Sequence, residues 1–241
     1  MRAGAGAVIL AALLLAGCGG GGGGALRVFA ASSLREALPA LYPDAEYVFA
    51  GSGTLATQIR EGARADVFVS ASPRAIADLV ESGEVAQPTA FASNRLVVVV
   101  PRSRDDGIRS LTDLARPGVR LVLAGEGVPV GDYAREALRA AGLLDGALAN
   151  VVSLEDAVSG VVAKVALGEA DAGVVYATDA RIARDDVRAI PVPPQDQPRI
   201  VYVAAPVARG DVVAARAFVE SLTSDEGRRV LEDAGFTPVG G

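Results

Sequence analysis

The apolar run Val28-Phe29-Ala30-Ala31 stops at Ser32 and Ser33, and a helical pattern begins at once with Leu34-Arg35-Glu36-Ala37-Leu38. This junction constrains the fold more than any other stretch, because a strand must run directly into a helix start with hydroxyls at the cap. A helix start carries unpaired N–H groups and about half a positive charge, so it suits an anion. Val48-Phe49-Ala50-Gly51-Ser52-Gly53-Thr54 repeats the device. Two such starts aimed at one point would hold a small anion with no charged side chain.

Strands and helices then alternate. Helices are expected over 33–41, 54–61 and 73–82, with strands over 26–30, 46–49 and 66–70; Gly62 ends the second helix. This order means a parallel or mixed sheet with helices on both faces. The long apolar strand Arg95-Leu96-Val97-Val98-Val99-Val100-Pro101 crosses into a second lobe, and a strand over 199–205 returns. Residues 26–92 and 206–241 are expected to form a discontinuous first lobe, and 93–205 the second.

The N-terminus reads as an export signal. Arg2 precedes an apolar run over 7–16 that is too short to span a bilayer. It ends in Leu15-Ala16-Gly17-Cys18, and Cys18 is the only cysteine. Small residues before a single cysteine resemble a bacterial lipobox, which implies a signal peptide over 1–17 and lipidation at Cys18. An ordinary secretory signal is the alternative. Residues 18–25 are a glycine-rich tether. Past the signal, 22 basic and 29 acidic residues leave a net charge of −7, which argues against nucleic acid as a partner. With no histidine, histidine triads and most zinc sites are excluded. Lys164 is the only lysine, so serine–lysine hydrolysis has little to build on.

Three further stretches stand apart from core packing: Val128-Pro129-Val130-Gly131-Asp132-Tyr133-Ala134, Glu155-Asp156-Ala157-Val158, and Gly168 through Tyr176 followed by Thr178-Asp179-Ala180. Taken with the two serine junctions and with Ala65-Asp66-Val67-Phe68, they resemble the molybdate-binding proteins of bacterial molybdate ABC transporters. The resemblance covers 26–241. It implies an α/β, two-lobed periplasmic-binding-protein-like (type II) fold with a hinged cleft. It further implies that Ser33 and Ser52 hydroxyls, the backbone N–H groups of Val130 and Val158, and the Tyr176 hydroxyl bind molybdate. Molybdenum enters only as that oxyanion, and no cofactor is expected. The implied partners are membrane permease subunits and, through Cys18, the outer face of the cell membrane or the periplasmic side of an envelope. The protein is expected to be a monomer and not an enzyme.

Elementary chemistry agrees with this ligand. Molybdate is a dianion without a proton at neutral pH, so a matching site offers only donors, and tungstate is nearly the same size. Hydrogen phosphate carries a proton and needs an acceptor, and no acid stands at a cap position in the serine junctions. Sulfate, or another small anion on the same fold, is the alternative ligand. The plain structural readings are that Ser33 and Ser52 cap helices and that Tyr176 ends a core strand.

Overall fold

A computed structural model describes residues 24–103 and 107–239. The signal segment, the lipidation expected at Cys18 and nearly all of the tether lie outside the described residues.

The first half alternates as its apolar pattern dictates. β1 (Arg27–Ala31) leads through a single 3-10 turn, Ser32–Leu34, to α1 (Ala37–Leu41). Then come β2 (Glu46–Ala50), α2 (Ser52–Arg60), β3 (Val67–Ser70), α3 (Pro73–Glu81) and β4 (Thr89–Asn94). The helix expected over 33–41 is thus broken in two. Pro39 has no N–H to bond back along a continuous helix, so the regular helix restarts at Ala37 with Pro39 in its first turn. Gly62, with φ +93°, ends the second helix as expected.

The second half comprises β5 (Leu96–Pro101), β6 (Leu121–Ala124), α4 (Pro129–Ala140), α5 (Leu144–Leu148), β7 (Val151–Glu155), α6 (Val158–Ala166), β8 (Ala172–Tyr176), α7 (Ala177–Ile182) and β9 (Val187–Pro191). β10 (Ile200–Pro206), α8 (Val212–Thr223), α9 (Asp225–Asp233) and β11 (Thr237–Pro238) close the chain.

Two sheets result. The first has the order β11-β4-β10-β3-β1-β2, with β1 parallel to both neighbours and β10 antiparallel to β3 and β4. The second has the order β7-β6-β8-β5-β9, with β6 parallel to β7 and β8. Central strands such as Val67–Ser70, Leu121–Ala124 and Ala172–Tyr176 are buried along their whole length, as strands covered on both faces must be.

The chain passes between sheets twice. Asn94 ends β4 in the first sheet and Leu96 begins β5 in the second, so Arg95 alone makes the outward crossing. The return is complete by Ile200, because Val203, Ala204 and Ala205 pair with Ser70, Val69 and Phe68 of β3. The division expected at 205/206 therefore falls at the wrong end of this strand. Its apolar sequence announces a strand but does not say which sheet accepts it. The two crossings are tied together, since Leu96 N–H donates to Gln197 Oε1 at 2.9 Å and Gln197 Nε2 donates to the Leu96 carbonyl at 2.8 Å.

Candidate functional site

Parallel strands of both sheets end at one hollow. Ala31, Ala50 and Ala71 mark the carboxyl ends of β1, β2 and β3. Val128–Val130 follow β6, Val158 follows β7, and Tyr176 ends β8. Ligands in open α/β sheets bind outside such ends, where the following helix starts point their N–H groups. The hollow encloses only about 10 Å³, far below the roughly 300–1,000 Å³ of drug-sized pockets. That size suits an ion and not an extended organic solute. No Asp, Glu, Lys or Arg lines it.

All five residues expected at a ligand, Ser33, Ser52, Val130, Val158 and Tyr176, line this one hollow, with Ser32 beside them. The serines are not ordinary caps. Ser52 is the first residue of α2, whose cap position is Gly51, and no side chain caps that helix or the Ser32–Leu34 turn. Ser72 behaves differently, because its hydroxyl accepts from Arg74 N–H at 3.2 Å as a cap should. Ser52, only 1% exposed, instead accepts a hydrogen bond from Ala71 N–H at 3.1 Å. That bond occupies an oxygen lone pair and leaves the hydroxyl proton free for the hollow. Ser33, 2% exposed, shares a 2.9 Å hydrogen bond with the Tyr202 hydroxyl.

The second sheet contributes donors of another kind. Val130 is the second residue of α4 and Val158 the first of α6. N–H groups in a first turn have no partner inside their own helix. Arg135 fixes the turn before α4, since its Nη1 donates to the carbonyls of Ala124 and Gly131, both at 2.9 Å. Tyr176 adds a hydroxyl that is fully buried and has no hydrogen-bond partner among the described residues. Burial pushes its ionisation well up, so it stays a neutral donor.

The sheets meet closely at the rim. A Cβ built on Gly51 would drive into the carbonyl oxygen of Asp156, and one on Gly53 would sit 3.0 Å from that of Gly127. Glycine at 51 is therefore a condition of closure across the cleft.

Asp179, in the first turn of α7, belongs to a stretch the sequence singles out but was assigned no role there. It is 7% exposed, and burial pushes its carboxyl from the ordinary 3.8 up to about 7, opposed by its backbone hydrogen bond and the Thr178 hydroxyl. Between about pH 4 and 7 the unfolded chain gives up this proton while the folded protein keeps it. Stability contributed by the protonated acid is therefore complete below about pH 4 and is lost as pH rises toward 7. Asp179→Asn should flatten that slope in thermal unfolding scans over this range; an identical slope in wild type and variant would contradict the assignment.

Sequence reasoning missed Ala71, Tyr202, Asn94 and Asp179. Ala71 acts through its backbone, and Tyr202 sits in a run that reads as apolar strand. Asn94 lies in the polar run Ser93-Asn94-Arg95 that precedes a long apolar strand, and Asp179 lies in a stretch that already stood apart from core packing.

Comparison with known proteins gives a consistent picture. The family described as bacterial extracellular solute-binding protein matches residues 26–237. The molybdate-binding protein ModA of Mycobacterium bovis is 37% identical over 220 residues, which are 87% of this chain and 83% of that protein. Among solved structures, the periplasmic molybdate-binding protein of Azotobacter vinelandii superposes with a TM-score of 0.74 at 22% identity, covering 88% of this chain and 98% of that one. The sulfate-binding protein SubI of Mycobacterium tuberculosis superposes with a TM-score of 0.76 at 19% identity, covering 89% and 87%. These two likenesses establish the two-lobed periplasmic-binding fold.

Proposed function

Because the chain belongs to the bacterial extracellular solute-binding proteins, we propose that it captures molybdate outside the cytoplasm and hands it to the membrane permease of an ABC importer. It is a carrier of solute and not an enzyme. The observation that carries the ligand assignment is the convergence of neutral donors from both sheets on one small, uncharged hollow.

The chemistry follows from the donor set. Ser33 and Ser52 hold the dianion from the first lobe. The Val130 and Val158 N–H groups and the Tyr176 hydroxyl close on it from the second. Each hydrogen bond to a charged oxygen contributes about 1.5–3 kcal/mol. Several together bring binding to about −10 to −12 kcal/mol after ordering costs, a nanomolar affinity. The second lobe gains its contacts only when the ion is present, so ligand shifts the balance from open to closed. The first lobe in this reading comprises the two chain ends and the second the middle, with the hinge at Arg95 and Gln197.

Tungstate, with the same charge and nearly the same size, binds the same donors. Cys18 carries the lipid that holds the carrier at the membrane surface, with 18–25 as its leash. No helix among the described residues is long and apolar enough to cross a membrane. The carrier works as a monomer, since one chain supplies every donor.

A thermal-shift panel of molybdate, tungstate and sulfate tests the ligand. Molybdate and tungstate should raise the unfolding temperature most, through preferential binding to the folded state. A larger shift with sulfate would overturn the assignment. A finer prediction concerns Tyr176→Phe. The hydroxyl finds no partner within hydrogen-bonding geometry, with the Tyr202 hydroxyl its nearest polar influence, so its loss should cost ligand-free stability little while weakening molybdate about tenfold or more. Unchanged molybdate affinity by calorimetry would remove Tyr176 from the donor set.

A further inference from the structure

The proton of Ser33 is directed, and the groups that direct it lie behind the hollow. One donor at the root of this network cannot be reversed. Arg95 N–H donates to Asn94 Oδ1 at 2.9 Å. This fixes the side-chain amide, so Nδ2 faces Thr178 and Tyr202 and can only donate to them. It does so at 2.9 Å to Thr178 Oγ1 and 3.4 Å to the Tyr202 hydroxyl oxygen.

Tyr202 is fully buried, and burial pushes its ionisation far up, so it keeps its proton. Its hydroxyl oxygen accepts from Asn94. Its own proton then has one acceptor among its hydrogen-bond partners, Ser33 Oγ at 2.9 Å. Ser33 therefore accepts from Tyr202, and its proton turns to the hollow. Ser52 reaches the same polarity by another route, with Ala71 N–H on its oxygen. The second amide proton of Asn94 runs the same way, through Thr178 toward Asp179 Oδ2 at 3.5 Å.

We propose that Asn94 and Tyr202 are positioning residues that hold Ser33 as a donor, and that this polarity is what excludes protonated oxyanions. A hydrogen phosphate must place its own proton on an acceptor. Each serine oxygen spends one lone pair on its partner behind the hollow and aims its proton at the ion, so a hydrogen phosphate must compete for the single remaining lone pair or turn a serine round against that partner. A bare tetrahedral dianion has no proton to place. The network also sits where the chain changes sheets, since Asn94 precedes the single-residue crossing and Tyr202 lies on the returning β10. Selectivity and hinge thus share the same side chains.

This inference rests on the function proposed above, and the experiment separates the two. Tyr202→Phe keeps the ring, whose edge packs against Phe91, Tyr176 and Phe236, and removes only the donor. Wild type, Tyr202→Phe, Ser33→Ala and the double variant are titrated calorimetrically with molybdate and with inorganic phosphate. The expected result for Tyr202→Phe is a molybdate-to-phosphate affinity ratio about tenfold smaller. The same change in the Ser33→Ala background should have no effect, because Tyr202 acts through that hydroxyl. An unchanged ratio, or an equal loss with and without Ser33, overturns the relay. Should Tyr202→Phe fail to fold, Asn94→Ala strips the donor that sets the direction and must lower the ratio likewise, or the inference fails. Wild-type protein that binds no molybdate would overturn the function itself, whereas normal wild-type binding with an unchanged variant ratio overturns only the relay.

Discussion

Replacing Ser33 and Ser52 together by alanine lowers molybdate affinity by about two to four orders of magnitude. Each change removes one hydrogen bond to a charged oxygen, about 1.5–3 kcal/mol, and 1.4 kcal/mol is a factor of ten. The loss is one of ligand contacts and not of fold, because neither hydroxyl caps its helix turn. Two internal bonds are lost as well, one from Ala71 N–H to Ser52 and one between the Tyr202 and Ser33 hydroxyls, so a modest drop in ligand-free stability accompanies the change. Calorimetry with molybdate checks the affinity, and circular dichroism checks the fold. Binding within threefold of wild type would show that these serines do not hold the ion.

Gly51→Ala should weaken molybdate by about tenfold to a hundredfold through a different cause. Gly51 has φ −63° and ψ 139°, which any residue adopts, so alanine adds no backbone strain. The added methyl would meet the Asp156 carbonyl oxygen across the cleft. Backbone cannot step aside as a flexible side chain can, and overpacking of this kind costs about 1–3 kcal/mol or more. The cost falls on the closed arrangement alone, because the two residues belong to different sheets. Unfolding temperature without ligand should therefore hold steady while affinity falls. Solution scattering gives the direct view: saturating molybdate compacts the wild type, and the variant should stay expanded at the same concentration. Full compaction of the variant would refute the steric account.

The two predictions depend on features that differed in legibility. The strand-to-helix junctions at Ser32-Ser33 and Gly51-Ser52 were plain in the sequence, because alternation of apolar and helical patterns is a local property. Local pattern also gave most helices to within two residues. It failed where the deciding partner is remote. Pro39 splits the first helix through a missing N–H that a periodicity count ignores. β10 reads as a strand, but only its pairing with Val67–Ser70 assigns it to the first sheet. β4 and β9 were not foreseen, since Thr89–Asn94 and Val187–Pro191 lack a strong apolar alternation and gain their strand form by pairing with β10 and β5.

The site divides in the same way. Residues that reach the hollow directly lie in stretches whose composition marks them, and the family resemblance supplied their roles. The groups that orient them do not advertise themselves. Tyr202 is one aromatic in a buried strand, and its meaning comes from an oxygen 169 residues earlier in the chain. Ala71 contributes an N–H, which no side-chain pattern records. Asp179 looks like an ordinary first-turn acid of a helix. Only burial, which brings its carboxyl up to about 7, separates it from the exposed acids around it.

One titration reaches the core of the account most directly. Calorimetry of the intact protein with molybdate, and separately with inorganic phosphate, asks whether neutral donors from two lobes trap a bare dianion and refuse a protonated one. The account predicts one molybdate per chain with nanomolar affinity and phosphate bound at least about a thousandfold more weakly. Silence with molybdate, or phosphate bound as tightly, would contradict it.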